Sequence, residues 1–130
     1  INSIDDAVSQ ARSLLARGPE FVLASSIPGP DGQIANVLIG RDHVETSCVT
    51  MLSLKAKGTG DLLSAAFCGL HAMGQDARKA MTISVELVTA AATDAAARQA
   101  VELDLPKILK NFDFSTNKGT GSISIETLEH

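Results

Sequence analysis

The stretch richest in chemistry is Lys57-Gly58-Thr59-Gly60-Asp61-Leu62-Leu63-Ser64-Ala65-Ala66-Phe67. Two glycines one residue apart, directly ahead of a helical pattern, let the backbone turn with several N–H groups pointing outward together. Those donors stand at the positive end of a helix dipole, so the turn is suited to an anion. Asp61 falls in the first turn of that helix, where its carboxylate would repel a resting phosphate. The placement suits a general base, taking a proton from a hydroxyl as that hydroxyl attacks a phosphoryl group. The same tetrad also fits a plain tight turn with an N-capping aspartate, and spacing alone leaves both readings open.

The chain contains its own control. Lys118-Gly119-Thr120-Gly121 repeats the tetrapeptide, but Ser122 follows and no helical pattern does, so this copy reads as inert tail. Neither copy is a Walker A loop, because no Gly-Lys-Ser/Thr closes a four-residue spacer. Lys55 and Lys57 flank the first turn and either neutralise phosphate charge or stand as surface lysines. His71 reads as a packing or surface residue, and Cys68 as a buried structural thiol. His43 with Asp42 reads as a solvated turn, and the acids of Glu102–Asp104 form no metal-ligand constellation.

These residues need elements to hold them. Ile4, Ala7, Val8, Ala11, Leu14 and Leu15 fall at helical spacing on one face, with Ser3 and Asp6 resembling a capping box and Gly18-Pro19 as the stop. Phe21–Ala24 is a continuous apolar run, as in a strand covered on both faces of a parallel sheet. It ends in Ser25-Ser26, small hydroxyls at the carboxyl end of a strand, where open α/β sheets place ligands. Ile34–Ile39 and His43–Val49 then read as a half-exposed hairpin at a sheet edge. Helices are expected over Asp61–Met73, with Ala65, Ala66 and Gly69 allowing close approach, and from about Ala77 to Ala92 with Asp76 as N-cap. A third is expected to start after Asp94 and reach Leu103, with Pro106 interrupting the pattern. The tail from Ser115 reads as polar and mobile, and Leu128-Glu129-His130 as the stub of an expression tag. With Ile1 at the other end, both ends read as those of a fragment. The order of elements is α/β.

Composition narrows the function. With 130 residues, 45% of them hydrophobic, the chain is long enough for one globular core. No apolar run approaches the roughly 18–20 residues of a membrane span. A net charge of −4 and the absence of Trp and Tyr argue against a nucleic-acid surface. Two cysteines, Cys48 and Cys68, make neither a disulfide framework nor a metal site and read as reduced thiols in a cytoplasm.

Gly58–Phe67, followed by Gly69, Gly74 and Ala77–Met81, resembles the C-terminal signature of ribokinase-like small-molecule kinases, and within them the pyridoxal kinases. Gly18–Leu23 leading into Ser25-Ser26-Ile27-Pro28 resembles the family's strand ending in Thr-Ser, and Ser3–Leu15 resembles the helix before it. The resemblance runs from about Asn2 to Ala92. It implies a ribokinase-like three-layer α/β sandwich, of which residues 1–114 are the C-terminal part. It implies Asp61 as the base that deprotonates the 5′-hydroxymethyl group of pyridoxal, pyridoxine or pyridoxamine. Gly58, Thr59 and Gly60 match the anion hole for the γ-phosphate. Ser25 and Ser26 match the ATP-contacting pair, with serine where the family has threonine. ATP, bridging magnesium and a homodimer of the full-length protein are implied likewise. Hydroxymethylpyrimidine kinases carry Cys at the position of Asp61, so the aspartate favours a pyridoxal or sugar-type kinase. The alternatives are a catalytically incomplete anion- or nucleotide-binding piece, because the family's substrate-contacting half lies upstream of any residue here, or a kinase of another small hydroxylated substrate such as a sugar or hydroxymethylpyrimidine.

Overall fold

The computed structural model describes residues 1–50, 56–115 and 122–127, the last as backbone alone. Lys55, Lys118–Gly121 and Leu128–His130 lie outside the described residues.

Helix α1 (Ile4–Leu15) starts where Ser3, in extended conformation, accepts the Asp6 amide on its hydroxyl at 3.1 Å. Asp5 and Asp6 then sit in the first turn, where the dipole favours acids. Ala7, Ala11 and Leu15 are buried, whereas Leu14, expected on the same face, is half exposed. The small alanines bring the helix axis close to the sheet.

That sheet has four strands, β1 (Val22–Pro28), β2 (Ile34–Ile39), β3 (His43–Val49) and β4 (Ser122–Thr127), in the order β1-β2-β3-β4. Every pairing between these strands is antiparallel. The parallel neighbour expected beside β1 is not among the described residues, where β1 pairs with β2 alone. β1 is half-buried, not covered on both faces. The hairpin of β2 and β3 is also not at the edge, because β4, in the segment read as mobile tail, pairs along β3. A second difference is that Glu45 and Ser47, in the hairpin read as half-exposed, are 5% and 2% exposed, because they share the sheet face of Leu38 and Val49 that helices cover.

The two faces of the sheet divide by the period-2 alternation of its strands. Ala35, Val37, Ile39 and Val44 pack with Ala7, Ala11 and Leu15 of α1. Leu38 and Val49 pack on the other side with helices α2 (Thr59–Ala72) and α3 (Ala77–Ala97). The result is a three-layer α/β/α arrangement.

The helical region differs from expectation in its boundaries. α3 does not stop near Ala92 but continues through Asp94 to Ala97, so no separate helix starts after Asp94 and reaches Leu103. Asp94 is no cap. It sits inside α3 and accepts Arg98 Nε at 2.9 Å and Lys107 Nζ at 2.6 Å, tying down α4 (Leu105–Asn111). Pro106 does not interrupt a helix; it lies in the first turn of α4, where a missing N–H costs nothing. Gly69 allows no close approach either, since a Cβ there would meet nothing within 4 Å.

Candidate active site

Gly58 is the N-cap of α2, in the left-handed region at φ 94° that favours glycine, and its carbonyl accepts the Leu62 amide at 3.0 Å. Thr59, Gly60 and Asp61 then fill the first three helical positions, whose amides have no carbonyl partner inside a helix. In α1, α3 and α4 a side chain caps this end, from Ser3, Asp76 and Asp104. In α2 no side chain does. Asp61 is exposed in the first turn and is not the N-cap, so the amides of the turn stay open to an external acceptor.

The second half of the site comes from β1. Its register with β2 slips between Ala24, opposite Val37, and Ile27, opposite Ala35. Ser25 and Ser26 thus stand together against Asn36, a bulge that re-aims side chains, and Ser26 takes φ 59°. The bulge and the turn meet. Ser25, Ser26, Asn36, Thr59, Gly60 and Thr89 line one cleft, whose apolar wall is Leu63, Val85 and Val88. The cleft encloses about 310 Å³ counting its mouth, and its innermost space is about 10 Å³.

Gly58 and Asp61 open instead onto a second, broader groove of about 1040 Å³ counting its mouth, with Lys57, Leu62 and Ala65. Its far wall is Glu102, Leu103 and Leu105, from the α3–α4 connection. The Lys57 amide donates to the Val101 carbonyl at 2.8 Å, and Leu103 Cδ1 lies 3.9 Å from where a Gly58 Cβ would stand. The turn therefore parts two spaces: serines, Thr59 and Gly60 on one side, Asp61 and Lys57 on the other. Sequence reasoning missed this wall, because the contact is made by backbone and no residue type announces it.

Other candidates fall outside. Cys68 is exposed, not buried, because α2 turns only Leu63 and Phe67 inward. His71 is exposed, stacks on Phe67 at 6.0 Å between ring centroids and meets the edge of Phe21 at 5.7 Å. His43 is half-buried against Phe21 and is more than a solvated turn. Two buried acids went unforeseen. Burial pushes the Glu45 carboxyl above its ordinary range, partly offset by Arg78 at 3.8 Å, and burial alone does so for Glu86. Glu45 Oε2 and Glu86 Oε1 have no hydrogen-bond partner; 3.8 Å is an ion-pair distance too long for one.

Among the described residues no group of three or more His, Cys, Asp or Glu could hold a metal ion. An ion carried mainly by phosphate oxygens and water needs no such cage, so the residues present are compatible with nucleotide-borne magnesium. No described helix is long and apolar enough to cross a membrane.

No protein-family model matches the chain. In sequence it is 34% identical over 109 residues to the pyridoxal kinase PdxY of Pseudomonas paraeruginosa, an alignment covering 80% of this chain and 38% of that protein. In structure it superposes on the pyridoxal kinase of Entamoeba histolytica with a TM-score of 0.78 at 14% identity, over 97% of this chain and 45% of that one. A Bacteroides thetaiotaomicron protein named as a phosphomethylpyrimidine kinase gives 0.80 at 17% identity, over 98% of this chain and 44% of that one. The fold is thus part of a ribokinase-like one, and the chain spans well under half the length of the curated relative it matches.

Proposed function

We propose that this chain, a relative of the pyridoxal kinases, is the C-terminal, nucleotide-side part of an ATP-dependent kinase that phosphorylates the 5′-hydroxymethyl group of pyridoxal or a related vitamer. The observation that carries the reading is the junction of the Ser25–Ser26 bulge with the uncapped Thr59–Gly60 turn, with Asp61 just across that turn. The curated relative is a pyridoxal kinase, and the aspartate at position 61 agrees with that substrate. The turnover belongs to the natural chain that contains these residues, since they span 38% of that relative's length.

In this reading Ser25 and Ser26 contact the nucleotide, and the amides of Gly58, Thr59 and Gly60 hold the γ-phosphoryl oxygens at the helix N-terminus. Asp61 takes the proton of the 5′-hydroxyl onto a carboxylate oxygen. That hydroxyl oxygen bonds to the γ-phosphorus, the bond from phosphorus to the β–γ bridging oxygen breaks, and ADP leaves with the electron pair. Magnesium, when bound, neutralises phosphate charge. A cytoplasmic location and a homodimer of the full-length protein complete the proposal.

Asp61→Asn is the direct test. Folding and ATP binding should survive, while formation of pyridoxal 5′-phosphate should fall by about 10²-fold or more, the scale of lost general-base catalysis. Near-normal turnover in that variant would remove Asp61 from the reaction.

A further inference from the structure

Gly58 lacks what fixes the start of the other long helices. In α1 and α3 the residue before the helix is extended and its side chain accepts an amide of the first turn. Gly58 is left-handed and has no side chain. Glycine visits both signs of φ with similar ease, so it permits this conformation without holding it. The hold comes from the α3–α4 connection. Ahead of Gly58, the Lys57 amide donates to the Val101 carbonyl at 2.8 Å, and Lys57 pairs with Glu102 in a parallel bridge. Over Gly58 itself lies the half-buried Leu103, with Cδ1 3.9 Å from where a Cβ would stand. The connection is in turn fixed to α3 at both ends. At one end α3 closes in a Schellman turn, where the Ala100 amide donates to the Ala95 carbonyl at 2.8 Å and Gln99 takes φ 54°. At the other, Asp104 caps α4 and Lys107 is tied to Asp94 at 2.6 Å.

We propose that Leu103 is a positioning residue for phosphoryl transfer. Together with the Val101 carbonyl it straps Gly58 into the left-handed conformation, and so aims the open amides of Thr59 and Gly60 and the carboxylate of Asp61. The inference rests on the phosphoryl-transfer reading given above. Leu103 acts through Gly58 and needs no contact with the reacting atoms. Because α3 also supplies Val85, Val88 and Thr89 to the cleft, the strap refers the turn to the helix that walls the cleft beside it. The side chain's contribution is shape: it closes over a residue that has no side chain to lock itself, so an isosteric apolar residue serves and a truncated one does not.

The test uses the natural chain containing these residues, with ATP and pyridoxal as substrates. Leu103→Ala should lower kcat by about tenfold or more, since a misplacement of about 1 Å can cost about 10²-fold. KM for either substrate should move by less than about twofold, the mark of an effect confined to the transition state. Leu103→Met should recover kcat to within about twofold. Amide exchange of Leu62, which donates to the Gly58 carbonyl, should be about tenfold faster in Leu103→Ala. A folded Leu103→Ala with the parent's kcat, or a Leu103→Met as impaired as the alanine variant, overturns the proposal. Should Leu103→Ala not fold, Lys107→Met, which cuts the exposed tie of α4 to Asp94, decides in its place: kcat should fall at least about threefold, and an unchanged kcat overturns the strap. A parent without turnover overturns the phosphoryl-transfer reading itself. Exchange then still judges the strap, which falls if Leu62 is as protected in Leu103→Ala as in the parent.

Discussion

Gly58 and Gly60 share one turn, yet a methyl group at each would do different things. At φ 94° an alanine at 58 is strained by about 1–2 kcal/mol, although Leu103 at 3.9 Å leaves it room. Gly60 is helical, and a Cβ there would meet nothing within 4 Å. Gly60→Ala should therefore leave stability unchanged or raise it by up to about 1 kcal/mol. If the turn holds a phosphate, the same methyl crowds the approach and phosphoryl transfer should drop at least about tenfold. Thermal melts and turnover on the two variants separate a backbone role from a ligand role; full turnover in Gly60→Ala would take Gly60 out of the anion site. This turn was the most legible part of the chain, since Gly-x-Gly before a helical run has few uses. What spacing could not decide was whether Asp61 caps the helix. That depends on a single backbone dihedral at Gly58, which makes Gly58 the N-cap and leaves the aspartate in the first turn.

At the scale of elements, α2 carries the turn but turns only Leu63 and Phe67 fully inward. The helix is positioned chiefly by its contact with α3, where Ala77, Ala80 and Met81 let it sit close. Phe67→Ala should cost about 3–5 kcal/mol in urea unfolding, the range for losing a buried ring. It should also weaken nucleotide binding, because the first turn of α2 moves with the helix. A loss below about 1 kcal/mol would show that α2 is held elsewhere. Elements with local signals were legible: α1 has its Ser3 cap and apolar period, and β2 and β3 have their flanking turns. The end of α3 was not, because Asp94 has the type of a helix cap, whereas Ala90 to Ala97 keep helical propensity and Lys107, thirteen residues on, supplies the partner that holds Asp94 inside the helix. β4 was hidden for a related reason: its short alternation lies in a polar, glycine-rich tail, and only pairing with distant β3 makes it a strand.

For the whole molecule, the layered packing holds two carboxylates largely out of water, and this sets a pH dependence opposite to that of surface acids. Burial raises the Glu45 and Glu86 carboxyl groups above the value near 4.5 of an unfolded glutamate. The folded chain therefore binds their protons more tightly than the unfolded chain. The stability gained is complete below about pH 4.5 and is lost as pH climbs through the raised folded values. Asp6 and Asp94 act in the other sense, being lowered from 3.8 by hydrogen bonds from Asn2 and from Lys107 respectively. Their contribution holds above pH 3.8 and fades only in stronger acid, so the two effects occupy different windows. Urea unfolding between pH 4.5 and 7.5 should show stability declining toward neutrality. Glu86→Gln, which keeps the shape and removes the charge, should flatten that decline and exceed the parent at pH 7. Glu45→Gln should do so less, because Arg78 already offsets part of the burial cost of Glu45. A parent whose stability rises steadily to pH 7.5, with Glu86→Gln parallel to it, would mean that water or another group reaches Glu86 and that the layers are less tightly closed than the packing of α3 requires.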